Sequence, residues 1–226
     1  MAGVRKAQKE MTRRLLLSTA LELFNTKGYA ATTIDEIAAS AGTTRVTFYA
    51  YFPSRADLMK ALICQLNELL GRTSLPTRGS TAASLVNVVA GGDPGKIAGW
   101  LRETAKSWDE IRPYTKAAFE AAAVDPEIRV LVDGWFDEAI GDVAEGLDRA
   151  GRFAPATRRV RAALAMTGLD YLARNWTPGR WDTDLEPMLE VLAANWAGLL
   201  TDGPPGQPAN PANPDEPAKP ASTEPS

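Results

Sequence analysis

Apolar residues recur along this chain at intervals of three and four in stretches that end at Gly or Pro, and alternation of polar with β-branched residues is scarce. The pattern predicts an all-α protein. Leu16, Ala20, Leu23 and Phe24 mark one face of a first helix over about Thr12 to Lys27, which Gly28 ends. Two short helices follow near Ile34 to Ala41 and Arg45 to Phe52, and Ser54 with Asp57 three residues on opens a longer one to about Leu70. The Gly- and Pro-rich stretch 71–95 reads as a loop with one short helix from Thr81 to Ala90. Asp93-Pro94 starts a helix to about Ile111, Pro113 one to Val124, and Asp125-Pro126-Glu127 one to about Ala150. The Asp carboxylate can accept from the free N–H groups of a first turn, where Pro has no N–H to lose. Thr157 to Arg174 and Leu185 to Thr201 complete the series. From Asp202 on there are eight prolines in 25 residues and almost no large apolar groups, so this tail is expected to be disordered.

At 226 residues the chain can bury a sizeable core, and its 45% hydrophobic and 23% charged residues are globular values. No apolar run approaches the roughly 20 residues that span a bilayer, and Met1 to Glu10 lacks the apolar centre of a signal peptide. Cys64 is the single cysteine, which excludes an intramolecular disulfide and a cysteine-based zinc cluster and fits a reducing compartment. A soluble, cytoplasmic protein without membrane contact is expected. The absence of histidine removes the usual general base and the commonest metal ligand. Carboxylate pairs such as Glu186 with Glu190 and Asp133 with Asp137 are the spacing of solvated helix faces, so an enzyme is not expected, nor a metal or cofactor.

Net charge is -3, yet residues 1–60 hold nine Lys or Arg against five acids. A basic head on an acidic body fits contact with phosphate at one end only. In that head, Thr33 with Glu36 has capping-box spacing, Ile34, Ile37, Ala38 and Ala41 form an apolar stripe, and Gly42 allows a tight turn. Thr44 then caps a second short helix in which Arg45, Thr47, Tyr49 and Tyr51 can reach bases or phosphates while Phe48 and Phe52 anchor it to a core. This is a helix-turn-helix from Thr33 to Phe52. Tyr49 and Tyr51 can also be packing residues, and the cluster Arg5, Lys6, Lys9, Arg13, Arg14 can either meet phosphate or be a solvated end.

Lys27-Gly28-Tyr29, Thr32-Thr33-Ile34, Ile37-Ala38, Ala41-Gly42, Phe48-Tyr49 and Phe52-Pro53-Ser54-Arg55 with Asp57-Leu58 follow the order and spacing of a known domain. Residues 12–58 resemble the N-terminal domain of the tetracycline-repressor (TetR) family. The resemblance implies a three-helix DNA-binding domain over 1–58 with a basic N-terminal arm, and a larger helical effector-binding and dimerisation domain over 59–201 ahead of the tail at 202–226. It makes Thr33, Thr44, Thr47, Tyr49, Tyr51 and Arg55 candidates for contact with a double-stranded operator. Arg45 is the candidate for direct readout, since arginine can donate two hydrogen bonds to guanine O6 and N7. Val46 stands where the family often has a small residue and can touch a thymine methyl, while Ala50 replaces a bulkier reading residue.

The same resemblance implies a homodimer through about 157–174 and 185–201. The faces assigned to it are Val160, Ala163, Leu164, Thr167, Gly168, Tyr171 and Leu172 on one helix and Leu185, Met188, Leu189, Leu192, Trp196, Leu199 and Leu200 on the other, each of which can instead face the internal core. It also implies a pocket for a small apolar or aromatic effector, with Trp100, Trp108, Phe119, Trp135 and Tyr171 as candidate walls, Tyr114, Phe136 and Trp176 lying in the same segments. The expected activity is a transcriptional repressor released from its operator by that effector. The alternative is a regulator controlled by protein contact, or an activator, with no small-molecule effector.

Overall fold

The computed structural model describes residues 2–70 and 83–201, and every regular element among them is helical. The helices are α1 (Ala2–Lys27), α2 (Ile34–Ser40), α3 (Arg45–Tyr51), α4 (Arg55–Leu69), α5 (Ala83–Gly91), α6 (Pro94–Ala105), α7 (Trp108–Val124), α8 (Pro126–Ala150), α9 (Pro155–Asn175) and α10 (Leu185–Leu200), with a short 3-10 turn at Arg180–Asp182. Among the described residues no helix is long and apolar enough to cross a membrane. The start of the short helix expected from Thr81, the loop at 71–82 and the proline-rich tail from 202 lie outside the described residues.

The caps form where the sequence places them. Ser54 accepts from the Asp57 N–H at the start of α4, Asp93 from those of Gly95 and Lys96, and Asp125 from those of Glu127 and Ile128. Each such cap is worth about 1 kcal/mol. Three of the boundaries differ clearly from expectation. The first helix begins at Ala2 rather than near Thr12, because Arg, Lys, Gln and Ala continue it in solvent where no apolar stripe marks its course. Further on, α6 stops at Ala105 and Pro113 lies inside α7 instead of opening it. The N–H groups of Lys106 and Ser107 bond back three residues to Glu103 and Thr104, and this tightened turn drops Trp108 into the core. Pro113 costs one bond to the exposed Asp109, while its own carbonyl accepts from the Asn25 side chain at 3.0 Å.

Two apolar clusters result. The N-terminal one gathers Leu16, Ala20, Phe24, Ile37, Phe48 and Phe52 with Leu58, Met59 and Leu62 of α4, and extends into Ala117, Ala118, Ala121 and Ala122 of α7. The second is built from α5 to α10 around Trp108, Val143 and Trp196. Leu66, one turn beyond Leu62 on α4, belongs to this second cluster. α4 and α7 therefore enter both, and no break in packing separates them.

In α10 the stripe Met188, Leu189, Leu192, Trp196 and Leu200 is buried in the same chain's core, correcting its assignment to a dimer face. The Trp196 indole donates to the Ala165 carbonyl at 3.1 Å and stacks on Trp100, which holds α10 against α9 and α6. The outward face of α10 carries Val191, Ala194, Asn195 and Gly198 instead. On α9 the expected side chains Val160, Leu164, Thr167 and Tyr171 do point outward.

α8 lies so close to α5 that a Cβ on Gly146 would stand 2.7 Å from Val89 Cβ and 2.9 Å from the Val86 carbonyl oxygen, whereas one on Gly134 of the same helix would meet nothing within 4 Å. Gly146→Ala should therefore destabilise the protein by about 1–3 kcal/mol through overpacking. Gly134→Ala should stabilise it by about 0.5–1 kcal/mol through helix propensity. Urea unfolding of the two variants checks both signs.

Candidate nucleic-acid interface and interior pocket

Thr33 begins the reading head. Its hydroxyl accepts from the Glu36 N–H at 3.2 Å, and Glu36 Oε2 accepts from the Thr33 N–H at 2.9 Å, a closed capping box. Lys27, at the end of α1, donates to the other Glu36 oxygen and so ties α1 to α2. The Lys27 hydrogen bond first, then the Thr33 N–H and hydroxyl, lower the Glu36 pKa to about 2. After α2, Gly42 takes φ +64, and the N–H groups of Gly42 and Thr43 close the turn onto the carbonyls of Ala39 and Ala38. Thr44 then caps α3 by accepting from the Thr47 N–H at 3.2 Å.

α3 divides by residue. Phe48 and Phe52 are buried. Tyr51 is half-buried against the N-terminal cluster, the packing alternative for that ring. Val46 is 80% exposed and Tyr49 42% exposed, with Arg45 and Ala50 on the same open surface. The Arg45 guanidinium is held at 3.0 Å by Asp35 of α2 and lies over the Tyr49 ring, 5.6 Å from its centroid. Both partners are solvent-exposed, so the pair orients Arg45 without locking it, and a phosphate or a guanine edge can replace the carboxylate at small cost.

Arg55 is placed differently from the phosphate contact expected of it. Its Nη1 donates to the carbonyls of Tyr29 and Thr32 at 2.9 and 2.6 Å, and its guanidinium stacks 4.2 Å from the Tyr29 ring centroid. It pins the loop between α1 and α2 onto α4. Tyr29 in turn donates to Asp125, the cap of α8, at 3.3 Å, and Lys60 of α4 pairs with Glu127 at 2.9 Å. Lys116 of α7 donates to the Asn25 carbonyl of α1 at 3.2 Å. The reading head is thus tied to α7 and α8 by polar contacts as well as by apolar packing.

Within the second cluster lies a cavity of about 280 Å³. Trp100, Trp108 and Trp135 line it, as does Phe136. Phe119 and Tyr171 do not. Phe119 borders a separate crevice too small for a ligand and carries the Arg174 guanidinium over its ring. Tyr171 points into solvent, stacked on Trp181, because the residues of α9 that face the cavity are Met166, Leu169, Asp170, Ala173 and Arg174. Asp170 and Arg174 form a two-pronged ion pair at one wall with contacts of 2.5–3.0 Å. Sequence reasoning missed this pair and the hydroxyls of Thr104 and Thr115. The four-residue spacing of Asp170 and Arg174 was visible, but an ordinary surface pair has the same spacing. The Trp135 indole donates to Asn67 near the end of α4 at 3.1 Å, so one wall of the cavity touches the helix that leaves the reading head.

A helix-turn-helix head on a larger helical body with an apolar cavity is the architecture of a DNA-binding regulator. Residues 16–62 match the profile of the bacterial regulatory proteins, tetR family. The chain is 29% identical to LfrR, an HTH-type transcriptional repressor from Mycolicibacterium smegmatis, over 74% of this chain and 82% of that protein. Among solved structures it superposes on Salmonella enterica GusR with a TM-score of 0.61 and 17% identity, covering 84% of this chain and 95% of that one. It superposes on the SmeT–triclosan complex with a TM-score of 0.56 and 20% identity, covering 81% and 90%. The DNA-binding head is therefore that of the tetR family of bacterial regulatory proteins, and the fold of the described chain is the one these regulators share.

Glu36 should make stability depend on pH. Its carboxylate, with a folded pKa of about 2 against 4.5 ordinarily, favours the folded state above the ordinary value, and that contribution is lost as pH falls toward 2. In thermal melts, Glu36→Gln should lower Tm at pH 6 and match the unsubstituted chain near pH 2. A gap constant across that range would remove Glu36 as its source.

Proposed function

We propose that the chain is a cytoplasmic repressor that binds its operator as a homodimer and is released by a flat, apolar or aromatic effector seated in the cavity of the second cluster. The observation that carries this reading is the course of α7. Trp108, Ile111 and Thr115 wall the cavity, while Ala117, Ala118 and Ala121 pack under the reading head. A ligand can act only through different affinity for two arrangements of the molecule, and a helix shared between cavity and head is where the two arrangements would differ. The Trp135–Asn67 contact supports the same coupling through α4.

The ligand class rests on the lining, which is mostly apolar with three indole rings and a few polar groups. The solved SmeT complex, of similar fold, holds triclosan, and LfrR is a repressor by its name. Dimerisation is supported by the exposed apolar side chains of Val160 and Leu164 on α9 and Val191 on α10, the chain's last two long helices, which pack against each other. Two heads then read successive major grooves, which lets so small a surface gain specificity.

On the operator, Arg45 reads a base, Val46 can touch a thymine methyl, and Thr33, Thr44, Thr47 and Tyr49 contact phosphates. Arg55 positions the head. Arg45→Ala should relax preference at one base pair by about 1–3 kcal/mol, whereas Tyr49→Phe should weaken all sequences about equally. Binding curves on variants of an operator selected from random DNA separate the two, and an identical positional profile for both overturns the assignment.

The effector reading is tested with the same operator. Aromatic and apolar compounds are screened for quenching of tryptophan fluorescence and for loss of operator affinity. A binding compound should weaken operator affinity at least ~10-fold, and Ala139→Phe, which fills the cavity from α8, should abolish that response while leaving operator affinity unchanged. Operator affinity unmoved by every compound that quenches fluorescence would overturn it.

A further inference from the structure

The polar part of the cavity wall narrows the class of ligand that the cavity can hold. Asp170 and Arg174 of α9 belong to that wall, and their side chains are 12% and 29% exposed. Asp170 accepts from Nε and Nη2 of Arg174, which occupies one edge of the guanidinium. Arginine's planar fork carries N–H groups on a second edge as well. Among the described residues, neither hydrogen of Nη1 nor the second one of Nη2 has an acceptor. This outer edge presents two parallel N–H groups, and the contact of the guanidinium with the Phe119 ring, 4.1 Å from its centroid, steadies the fork.

The end of α9 holds other donors in excess. Arg112 Nη2 and Trp176 Nε1 are buried and donate to no described residue. Arg112 is fastened to this helix through its Nε, which donates to the carbonyl of the wall residue Ala173 at 3.2 Å, and Trp176 is the C-cap of α9. Buried polar groups are ordinarily paired, so this end of the helix is short of acceptors.

We propose that the cavity takes a neutral aromatic compound bearing a carbonyl oxygen, which accepts from the outer edge of Arg174 while its rings lie against Trp100, Trp108 and Trp135. The proposal rests on the effector reading of the cavity and names the ligand chemistry that reading leaves open. A carbonyl receives two N–H groups through its two lone pairs and adds no charge. Other groups fit this wall less well. An ammonium brings only donors, while the Asp170 carboxylate is taken up by Arg174 and Asp142, the other carboxylate in the wall, has a partner of its own. A carboxylate brings a second negative charge to a guanidinium that Asp170 already neutralises, and gives up its water to do so. A hydrocarbon leaves the outer edge without an acceptor.

The test uses naphthalenes that differ in a single group: 2-acetylnaphthalene, 2-ethylnaphthalene, 2-naphthoate and 2-naphthylmethylammonium. Equilibrium dialysis measures their binding to the full chain, to Arg174→Lys and to Ala139→Phe, and circular dichroism checks that both variants keep their helix content. Arg174→Lys retains the charge beside Asp170 and removes the planar outer edge. The unsubstituted chain should bind the acetyl compound at least ~10-fold more tightly than the ethyl compound, the gain expected of a hydrogen bond from a charged donor. Arg174→Lys should lose that preference and bind the ethyl compound as before, and Ala139→Phe should bind neither. Equal binding of the acetyl and ethyl compounds by the unsubstituted chain, or tightest binding of the naphthoate or the ammonium, would overturn the proposal, and these comparisons decide it even where a variant does not fold. So would a preference kept in Arg174→Lys, or binding undiminished in Ala139→Phe. Operator affinity is followed separately with the acetyl compound bound. If the binding pattern is as expected and operator affinity does not move, the ligand class stands and release by an effector falls. Binding of none of these compounds overturns both.

Discussion

Ala117, Ala118, Ala121 and Ala122 give α7 a face of small side chains, and the reading head packs on it through α1 and α4. Small residues let the helices approach closely, which converts a short apolar patch into dense packing. The other end of the same helix faces the cavity with Trp108 and Ile111. The same helix thus borders the cavity at one end and supports the helix-turn-helix at the other.

The head itself is held in a way that separates positioning from contact. Glu36, Lys27 and Thr33 close the start of α2, and Arg55 with Tyr29 fastens the preceding loop to α4. These groups spend their hydrogen bonds inside the protein. Arg45, Val46 and Tyr49 remain open to solvent, and among the described residues Arg45 is held by its exposed pair to Asp35 and by Tyr49. A surface prepared in this way loses little side-chain entropy on binding, because the supporting residues are already ordered.

The cavity and the outer faces of α9 and α10 divide the remaining apolar surface of the body. Met166, Leu169 and Trp196 turn inward, and Val160, Leu164 and Val191 turn outward. One helix thus serves a core and an exposed apolar surface at once, with the ion pair of Asp170 and Arg174 at the cavity wall between them.

Helix type, the caps and the turn at Gly42 were legible along the chain because they depend on neighbours three or four residues apart. Asp125-Pro126, Ser54 with Asp57, and Thr33 with Glu36 formed the caps their spacing implies. What depended on partners far along the chain was not legible. The stripe on α10 looked the same whether it faced a second copy or Trp100 and Ala165, and only the fold turned it inward. Arg55 read as a free cation until Tyr29 and Thr32, brought up by the preceding loop, took its guanidinium. The membership of the cavity wall, with Trp135 in and Tyr171 out, followed from the rotation of α8 and α9 about their axes. Local periodicity allows several such rotations, and long-range packing selects one. The sequence by itself determined that this chain would be helical and would carry a helix-turn-helix; the tertiary structure decided which aromatic and charged residues are walls, props or open surface.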